Sequence, residues 1–379
     1  MIDYPFNFEK TKGIFLSREN RFLLKALVNG KIFNCHLPNP GRLWELLIPE
    51  ETELILINNH ANPKIPYTVL ACKKENRWVL LHTHLTNKIA KRLINEGKIS
   101  AYRDFRVLAS EVKIDHSRFD LLLSRDSEKL YLEVKTCTLF GRKIGMFPDA
   151  ITERGKRHLL ELKTMTEKSI KTSVLFVVMS SEVKFFIPAY HIDFEFAKAF
   201  MAVKDSVDLR AIAIEWDIEF TEVKTVKELK IPFSFIETTL RERGAYILII
   251  HLAKDEDISI GELGNLHFSS GFYAYIGRAK TGLFKRIARH RRKIKKMHWH
   301  IDYLLNRAKI IRDLPIITEQ NIECSLAEKL RKISDNSIPN FGSSDCHCKS
   351  HLFYFKKNPL LNKDFIEIIN FFRIESLEI

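Results

Sequence analysis

The sequence has no uninterrupted apolar run long enough to cross a bilayer, which takes about 20 residues as a helix. Its start, MIDYPFNFEKTKGIF, lacks the apolar core of a secretory signal. No basic amphipathic anchor stands out either, so the expectation is a cytoplasmic protein that does not engage membranes. Tandem repeats and low-complexity tracts are missing, which excludes solenoids and disordered arrays. Cysteine is sparse: six residues, at 35, 72, 137, 324, 346 and 348, are scattered along the chain and argue against a disulfide framework. Acidic residues are in deficit, 47 against 61 Lys plus Arg, giving a net charge of +14 and a pI near 9.4. That surplus favours a polyanionic partner, DNA or RNA.

What is present is enough chain, 379 residues, for two or three domains. Short β-like runs (Gly13 to Leu16, Ile32 to Leu37, Glu53 to Ile57, Trp78 to Leu81) are separated by Asn, Gly and Pro turns over residues 1–85. That spacing suits a small barrel, with an oligonucleotide-binding (OB) barrel one of several options. The turn Leu37-Pro-Asn-Pro-Gly-Arg42 lies between them, and Arg42 either reaches a phosphate or is an ordinary solvated side chain.

Over residues 86–225 helices and strands alternate: a helix from Asn87, strands near 107–114, 118–124 and 130–137, and a helix from Asp149 with Ile151, Leu159 and Leu162 as its stripe. The continuous apolar run Ser173 to Met179 reads as a central strand buried on both faces. In LYLEVKTC the apolar Leu130, Leu132 and Val134 alternate with Tyr131, Glu133 and Lys135, so Glu133 and Lys135 point the same way. A hairpin partner carrying Asp120 sets that carboxylate beside Glu133. Two acids and an ammonium suit a metal-dependent phosphodiesterase, although a solvated surface pair is the common fate of Glu-x-Lys. Arg118, Arg154, Lys156 and Arg157 add basic side chains around this stretch, and Gly155 within the helix points to close packing or close approach of a ligand.

Residues 226–243 read as a connection without a clear period. A second apolar strand starts at Ala245, followed by Gly271 to Gly277 and a basic helical segment from Gly282 to Lys296 with Leu283, Ile287 and Ile294 as its stripe. Arg286 and His290 fall on one face of it, and Arg289, Arg291 and Arg292 extend its charge. Tyr246, Tyr275, Arg286 and His290 meeting near a phosphate offer a proton acceptor and a charge clamp, with Glu323 or Glu328 to hold a metal; a basic surface helix beside core tyrosines is the alternative. Cys324, Cys346, Cys348 and His351 form a candidate Zn²⁺ set, against which the tight Cys-x-Cys spacing leaves a reduced pair near a turn. Residues 244–357 make this domain, and 358–379 a terminal helix that packs or forms an interface.

The residues Glu133-Val-Lys-Thr-Cys-Thr-Leu139, Phe147 to Leu159, Ser117-Arg-Phe-Asp120 and Leu37 to Arg42 closely resemble the SfsA family, the sugar fermentation stimulation proteins. That resemblance implies an OB-type barrel joined to a restriction-endonuclease-like domain of the PD-(D/E)xK group, with Asp120, Glu133 and Lys135 on its motif and Phe119 in place of the name-giving Pro. The second half resembles a GIY-YIG nuclease domain: Gly244-Ala-Tyr246 matches its first motif and Tyr275-Ile-Gly277 its second, with His298 to Tyr303 and Phe341 to Cys348 marking a subfamily. Ala245 departs from the usual Ile, and the stretch between the two motifs is longer than usual.

Together these readings predict an α/β and α+β protein of three folds: a β-barrel, a mixed sheet with helices and an α/β nuclease-like domain. The expected activity is hydrolysis of phosphodiester bonds in DNA or RNA with Mg²⁺ or Mn²⁺ at Asp120, Glu133 and Glu323. A nucleic-acid-binding regulator with inert nuclease folds is the rival, and self-association is left open.

Overall fold

Lys10 to Leu80 alternates β-formers with turn residues, and each run becomes a strand of one sheet. In the computed structural model, which describes residues 9–59, 62–114, 117–217, 222–344 and 346–379, these are β1 (Lys10–Asn20), β2 (Leu23–Val28), β3 (Lys31–His36), β4 (Glu53–Asn58), β5 (Tyr67–Lys74) and β6 (Arg77–Leu80). The order is β3-β2-β1-β4-β5-β6, and a parallel pairing of β3 with β5 closes the first five into an OB-like barrel. The opening residues read as lacking a signal core lie partly outside the described residues. Among the described residues, no helix is long and apolar enough to cross a membrane.

The chain divides into two units at Glu237/Thr238. The first continues through α1 (Thr86–Asn95), β7 (Arg106–Ile114), β8 (Ser117–Arg125), β9 (Glu128–Cys137), β10 (Leu139–Phe140), β11 (Ile144–Phe147), α2 (Glu153–Glu167), β12 (Lys171–Val178), β13 (Phe185–Pro188), α3 (Phe194–Ala202), β14 (Asp208–Trp216), β15 (Val223–Glu228) and α4 (Phe233–Thr239). Six of these strands form a mixed sheet in the order β15-β14-β12-β9-β8-β7. β12 is central, parallel to β9 and β14, and buried from Thr172 to Val178, as an apolar run covered on both faces must be. Phe176, Phe186, Phe196 and Phe200 are fully buried around it, with Phe176 and Phe186 stacked 4.3 Å apart.

Three expectations need correction here. The helix after β11 does not begin at Asp149: Thr152 is its cap, its Oγ1 accepting from Gly155 N at 3.0 Å, while Asp149 Oδ2 accepts from Leu43 N at 2.7 Å. Ile151 therefore lies outside the helix and is 62% exposed, not part of its stripe. The stretch read as an irregular connection holds the end of β15, paired antiparallel with β14, and α4; the alternation of β15 was hidden by charge, since the outer strand of a sheet needs few apolar residues.

The second unit contains β16 (Gly244–Leu252), β17 (Glu256–Ser259), β18 (Asn265–Phe268), β19 (Gly271–Ala279), α5 (Leu283–Arg291), α6 (His300–Leu304), β20 (Lys309–Ile317), α7 (Glu323–Ile333), β21 (Asn336–Ser337), β22 (Leu352–Phe355) and α8 (Lys363–Asn370). Its sheet runs β20-β16-β19-β22-β21, all antiparallel, and β17 and β18 form a separate ribbon. The basic helix stops at Arg291, and Ile294, 95% exposed, is not on its apolar stripe. Beyond α8 a short π-turn buries Phe372 but leaves Phe371 exposed. In that turn the buried Arg373 donates Nε and Nη2 to Pro315 O at 3.0 and 2.8 Å, tying the chain end to β20.

Candidate active sites

Pleating of β9 puts Glu133 and Lys135 on one side, and the two side chains hydrogen-bond. The hairpin register Leu121↔Leu132 brings Asp120 of β8 alongside, where its Oδ2 accepts from Val134 N at 2.8 Å. Helices supply two side chains that sequence reasoning did not place in the site. Asn87 of α1 donates Nδ2 to Asp120 Oδ1 at 2.6 Å, and His158 of α2 holds Glu133 Oε1 from Nδ1 at 2.9 Å. Arg154, one turn earlier, donates Nε to His158 Nε2 at 3.4 Å. That donor makes Nε2 the acceptor, so Nδ1 carries the proton offered to Glu133.

Burial raises the Asp120 carboxyl above its ordinary range, and the charge of Glu133 adds to it. Burial pushes Glu133 the same way, but the His158 hydrogen bond and the Lys135 ammonium outweigh it and leave Glu133 below the usual carboxylate range. Glu133 is 4% exposed, and its Oε2 is buried without a hydrogen-bond partner. Two crowded carboxylates and an unsatisfied oxygen fit a hard divalent cation, which oxygen ligands of this kind hold.

The basic residues around this site have partners of their own. Arg118 pairs with Glu111 across the β7/β8 hairpin, Lys156 lies 3.5 Å from Glu195, and Arg157 lies 3.4 Å from Glu161. A Cβ on Gly155 would come within 2.8 Å of Thr152 and 3.4 Å of Phe196, so close packing accounts for this glycine. Arg42 sits 5.2 Å over the Trp44 ring, in a turn braced by Arg18 Nη1 bonds to the carbonyls of Gly41 and Arg42 at 2.6 and 2.7 Å.

In the second unit, register places Tyr246 of β16 opposite Gly277 of β19. The tyrosine ring lies across that glycine: a Cβ on Gly277 would be 2.4 Å from Tyr246 Cζ and Oη. Tyr246 Oη meets His290 Nε2 at 2.8 Å, and the Tyr275 ring lies 6.5 Å from Tyr246 and 6.2 Å from His290. Burial lowers the His290 imidazole to about 4, so it is neutral near pH 7. Burial also pushes the Tyr246 phenol well up, reinforced by Tyr275, which keeps it protonated. Arg286 donates Nη1 to Arg278 O at 2.5 Å and lies 5.1 Å over Trp299.

Arg289 grips buried Asp302 through Nη1 at 3.1 Å and Nη2 at 3.0 Å. Lys295 Nζ and the backbone N–H groups of His298 and Trp299 also point at Asp302, each at 3.1 Å. Burial raises this carboxyl, but these donors overcome it and bring it to about 2. Asp302 is thus a structural anion under α5. Arg291 pairs with Asp313, and Arg292 is exposed at the end of α5.

Of the two glutamates on α7, Glu328 pairs with Lys332 at 3.3 Å on the exposed face. Glu323 is the one whose charge reaches Tyr246, and it lies 3.4 Å from His351 Nδ1. Cys324, Cys346, Cys348 and His351 also come together, one ligand atom of each within 4.8 Å of the others.

Three stretches of the chain match known family models. Residues 16–81 match the SfsA N-terminal OB domain, and residues 84–220 match the sugar fermentation stimulation protein RE domain. The sugar fermentation stimulation protein homolog of Clostridium kluyveri is 34% identical over 221 residues, covering 58% of this chain and 96% of that one. The chain belongs to the SfsA family. The SfsA homolog of Methanosphaera stadtmanae is 41% identical over 194 residues, 50% of this chain and 80% of its own. The structure of Pyrococcus furiosus SfsA in complex with Ca²⁺ shares the fold at a TM-score of 0.55 and 23% identity, covering 61% of this chain and 99% of that one. Beyond the SfsA part, residues 245–373 match a domain of unknown function, DUF123. That stretch holds both tyrosines, the α5 pair, Glu323 and the Cys/His cluster.

Proposed function

We propose that this SfsA-family chain is a metal-dependent nuclease that hydrolyses phosphodiester bonds in DNA or RNA. The observation that carries the reading is the meeting of Asp120, Glu133 and Lys135 around a buried carboxylate oxygen without a hydrogen bond. Asp120 and Glu133 would hold Mg²⁺ or Mn²⁺; such an ion, when bound, activates water and neutralises phosphate charge. The Ca²⁺ in the related Pyrococcus structure supports a hard cation in this fold. Lys135 orients the attacking water or carries phosphate charge, while His158, fixed by Arg154, keeps Glu133 ionised and aimed. The net charge of +14 and the OB-like barrel suit a polyanionic strand.

The second unit offers a separate site. Tyr246, protonated and hydrogen-bonded to neutral His290, can pass its proton to that imidazole as it takes one from water; Tyr275 lies beside the pair and Arg286 clamps phosphate charge. Glu323 is the metal-binding acid of this reading. The Cys/His cluster offers soft donors and is not the site of the hydrolytic ion.

The test is cleavage of single- and double-stranded DNA and RNA, with Mg²⁺ or Mn²⁺, by wild type, Glu133→Ala and Arg286→Ala. Loss of a metal-dependent product in either variant assigns the activity to that unit. Salt-sensitive binding without turnover on any substrate, the same in all three proteins, makes the chain a nucleic-acid-binding protein with inert folds and ends the hydrolytic reading.

A further inference from the structure

Cys324 is the second residue of α7, and Cys346, Cys348 and His351 lie on the segment entering β22. No tyrosine motif requires three thiols and an imidazole to meet there, yet their ligand atoms all lie within 4.8 Å of one another. A tetrahedral ion with metal–sulfur bonds of about 2.3 Å sets its ligand atoms roughly 3.8 Å apart. Closing the four side chains on one ion therefore takes a contraction of about 1 Å or less. Three cysteines and one histidine leave no position open for substrate, which is the arrangement of a structural rather than a hydrolytic site.

A second observation comes from His351, which is 1% exposed. Its Nε2 faces Cys346 Sγ at 3.4 Å, inside the cluster. Its Nδ1 is buried, makes no hydrogen bond, and lies 3.4 Å from Glu323 Oε1. With Nε2 as the ligand nitrogen, Nδ1 must carry the proton, and the nearest carboxylate oxygen to it, Glu323 Oε1, is 3.4 Å away. Metal-binding histidines are oriented by this kind of partner. Glu323 and Cys324 are neighbours in sequence, so the first turn of α7 contributes both the carboxylate and one thiolate.

The segment is tied to the tyrosine strands as well. Ile276 N donates to His351 O at 2.9 Å, and a Cβ on Gly342 would lie 3.0 Å from the Tyr275 ring.

We infer that Cys324, Cys346, Cys348 and His351 bind one zinc ion, and that Glu323, 3.4 Å from His351 Nδ1, is a positioning residue for that ligand and is itself fixed by the ion. The zinc site stands on its own geometry; only the value of fixing Glu323 rests on the hydrolytic reading of the second unit. The zinc ion joins the start of α7 to the segment before β22 and takes no part in bond cleavage.

The test needs no nucleic acid, so its outcome is independent of whether the chain cleaves anything. Full-length protein purified without chelator is assayed for metal by mass spectrometry, with release followed by a zinc dye on adding a mercurial. One zinc per chain, released by the mercurial and absent from a Cys346→Ser/Cys348→Ser variant, is expected. If that variant fails to fold, the wild-type release still decides. Cobalt-substituted protein should show the intense visible bands of a tetrahedral thiolate site. Glu323→Gln should keep the stoichiometry, bind zinc roughly 10–100-fold more weakly and shift the cobalt bands, because the carboxylate strengthens the histidine as a ligand. Absence of zinc, a different resident metal, zinc retained by the double cysteine variant, or a Cys346–Cys348 disulfide in the isolated protein overturns the site. Unchanged affinity and spectrum in Glu323→Gln overturn the positioning role alone.

Discussion

Glu133 has three neighbours of different kinds: a lysine two residues along its strand and a histidine from α2 hydrogen-bond to it, while an aspartate from the adjoining strand crowds it with like charge. His158 is the one whose removal leaves the other two in place. His158→Ala should weaken Mn²⁺ binding roughly 10–100-fold, read by calorimetry, while the far-UV spectrum stays as in wild type. His290 makes a different prediction. Its imidazole is held at about 4 against an ordinary 6.5, so the unfolded chain takes up the proton first as pH falls. The contribution to stability is complete above about pH 6.5 and is lost on the way down to about 4, up to about 3 kcal/mol. Urea unfolding at pH 7 and pH 5 checks this: His290→Gln should flatten the acid loss attributable to this side chain. The alternation of Leu130 to Lys135 already declared which residues of β9 share a face, and the short hairpin declared Asp120. His158 and Asn87 were not legible, because which turn of a helix meets which strand is decided by packing between elements rather than by any local period.

Among elements, β16 and β19 show how a glycine in one strand serves an aromatic in the next. Gly277 is the floor on which the Tyr246 ring lies. Gly277→Ala puts a methyl 2.4 Å from the phenol carbon and oxygen, so the ring must swing away from His290. The expected cost is about 1–3 kcal/mol, measured by thermal unfolding, together with loss of the Tyr246–His290 hydrogen bond, seen as a change in the His290 imidazole resonances. Charge runs were the least informative signal at this scale. The segment from Gly282 to Lys296 reads as a helix with a basic face, yet Arg289 and Lys295 are spent on Asp302, an acid beyond the run whose role becomes visible only when α6 folds back on α5. β15 was missed for a related reason: Lys224, Lys227 and Glu228 mask a strand whose backbone partners do the specifying.

At the scale of the molecule, two units with separate sheets should unfold separately. Calorimetry of the full chain is expected to show two transitions, and millimolar Mn²⁺ should raise the one assigned to residues 9–237 in wild type but not in Glu133→Gln. A single transition that ignores the metal would contradict this. The tie between Arg373 and Pro315 has a consequence of another kind. β20 is an outermost strand, and bare strand edges recruit strands from other molecules. At Pro315 the edge has no N–H to offer, and its carbonyl is already taken by a guanidinium delivered from the last turn of the chain. Arg373 thus covers this point of the sheet edge, so a nick or truncation before Arg373 is expected to raise self-association, read by light scattering, rather than merely shorten the chain.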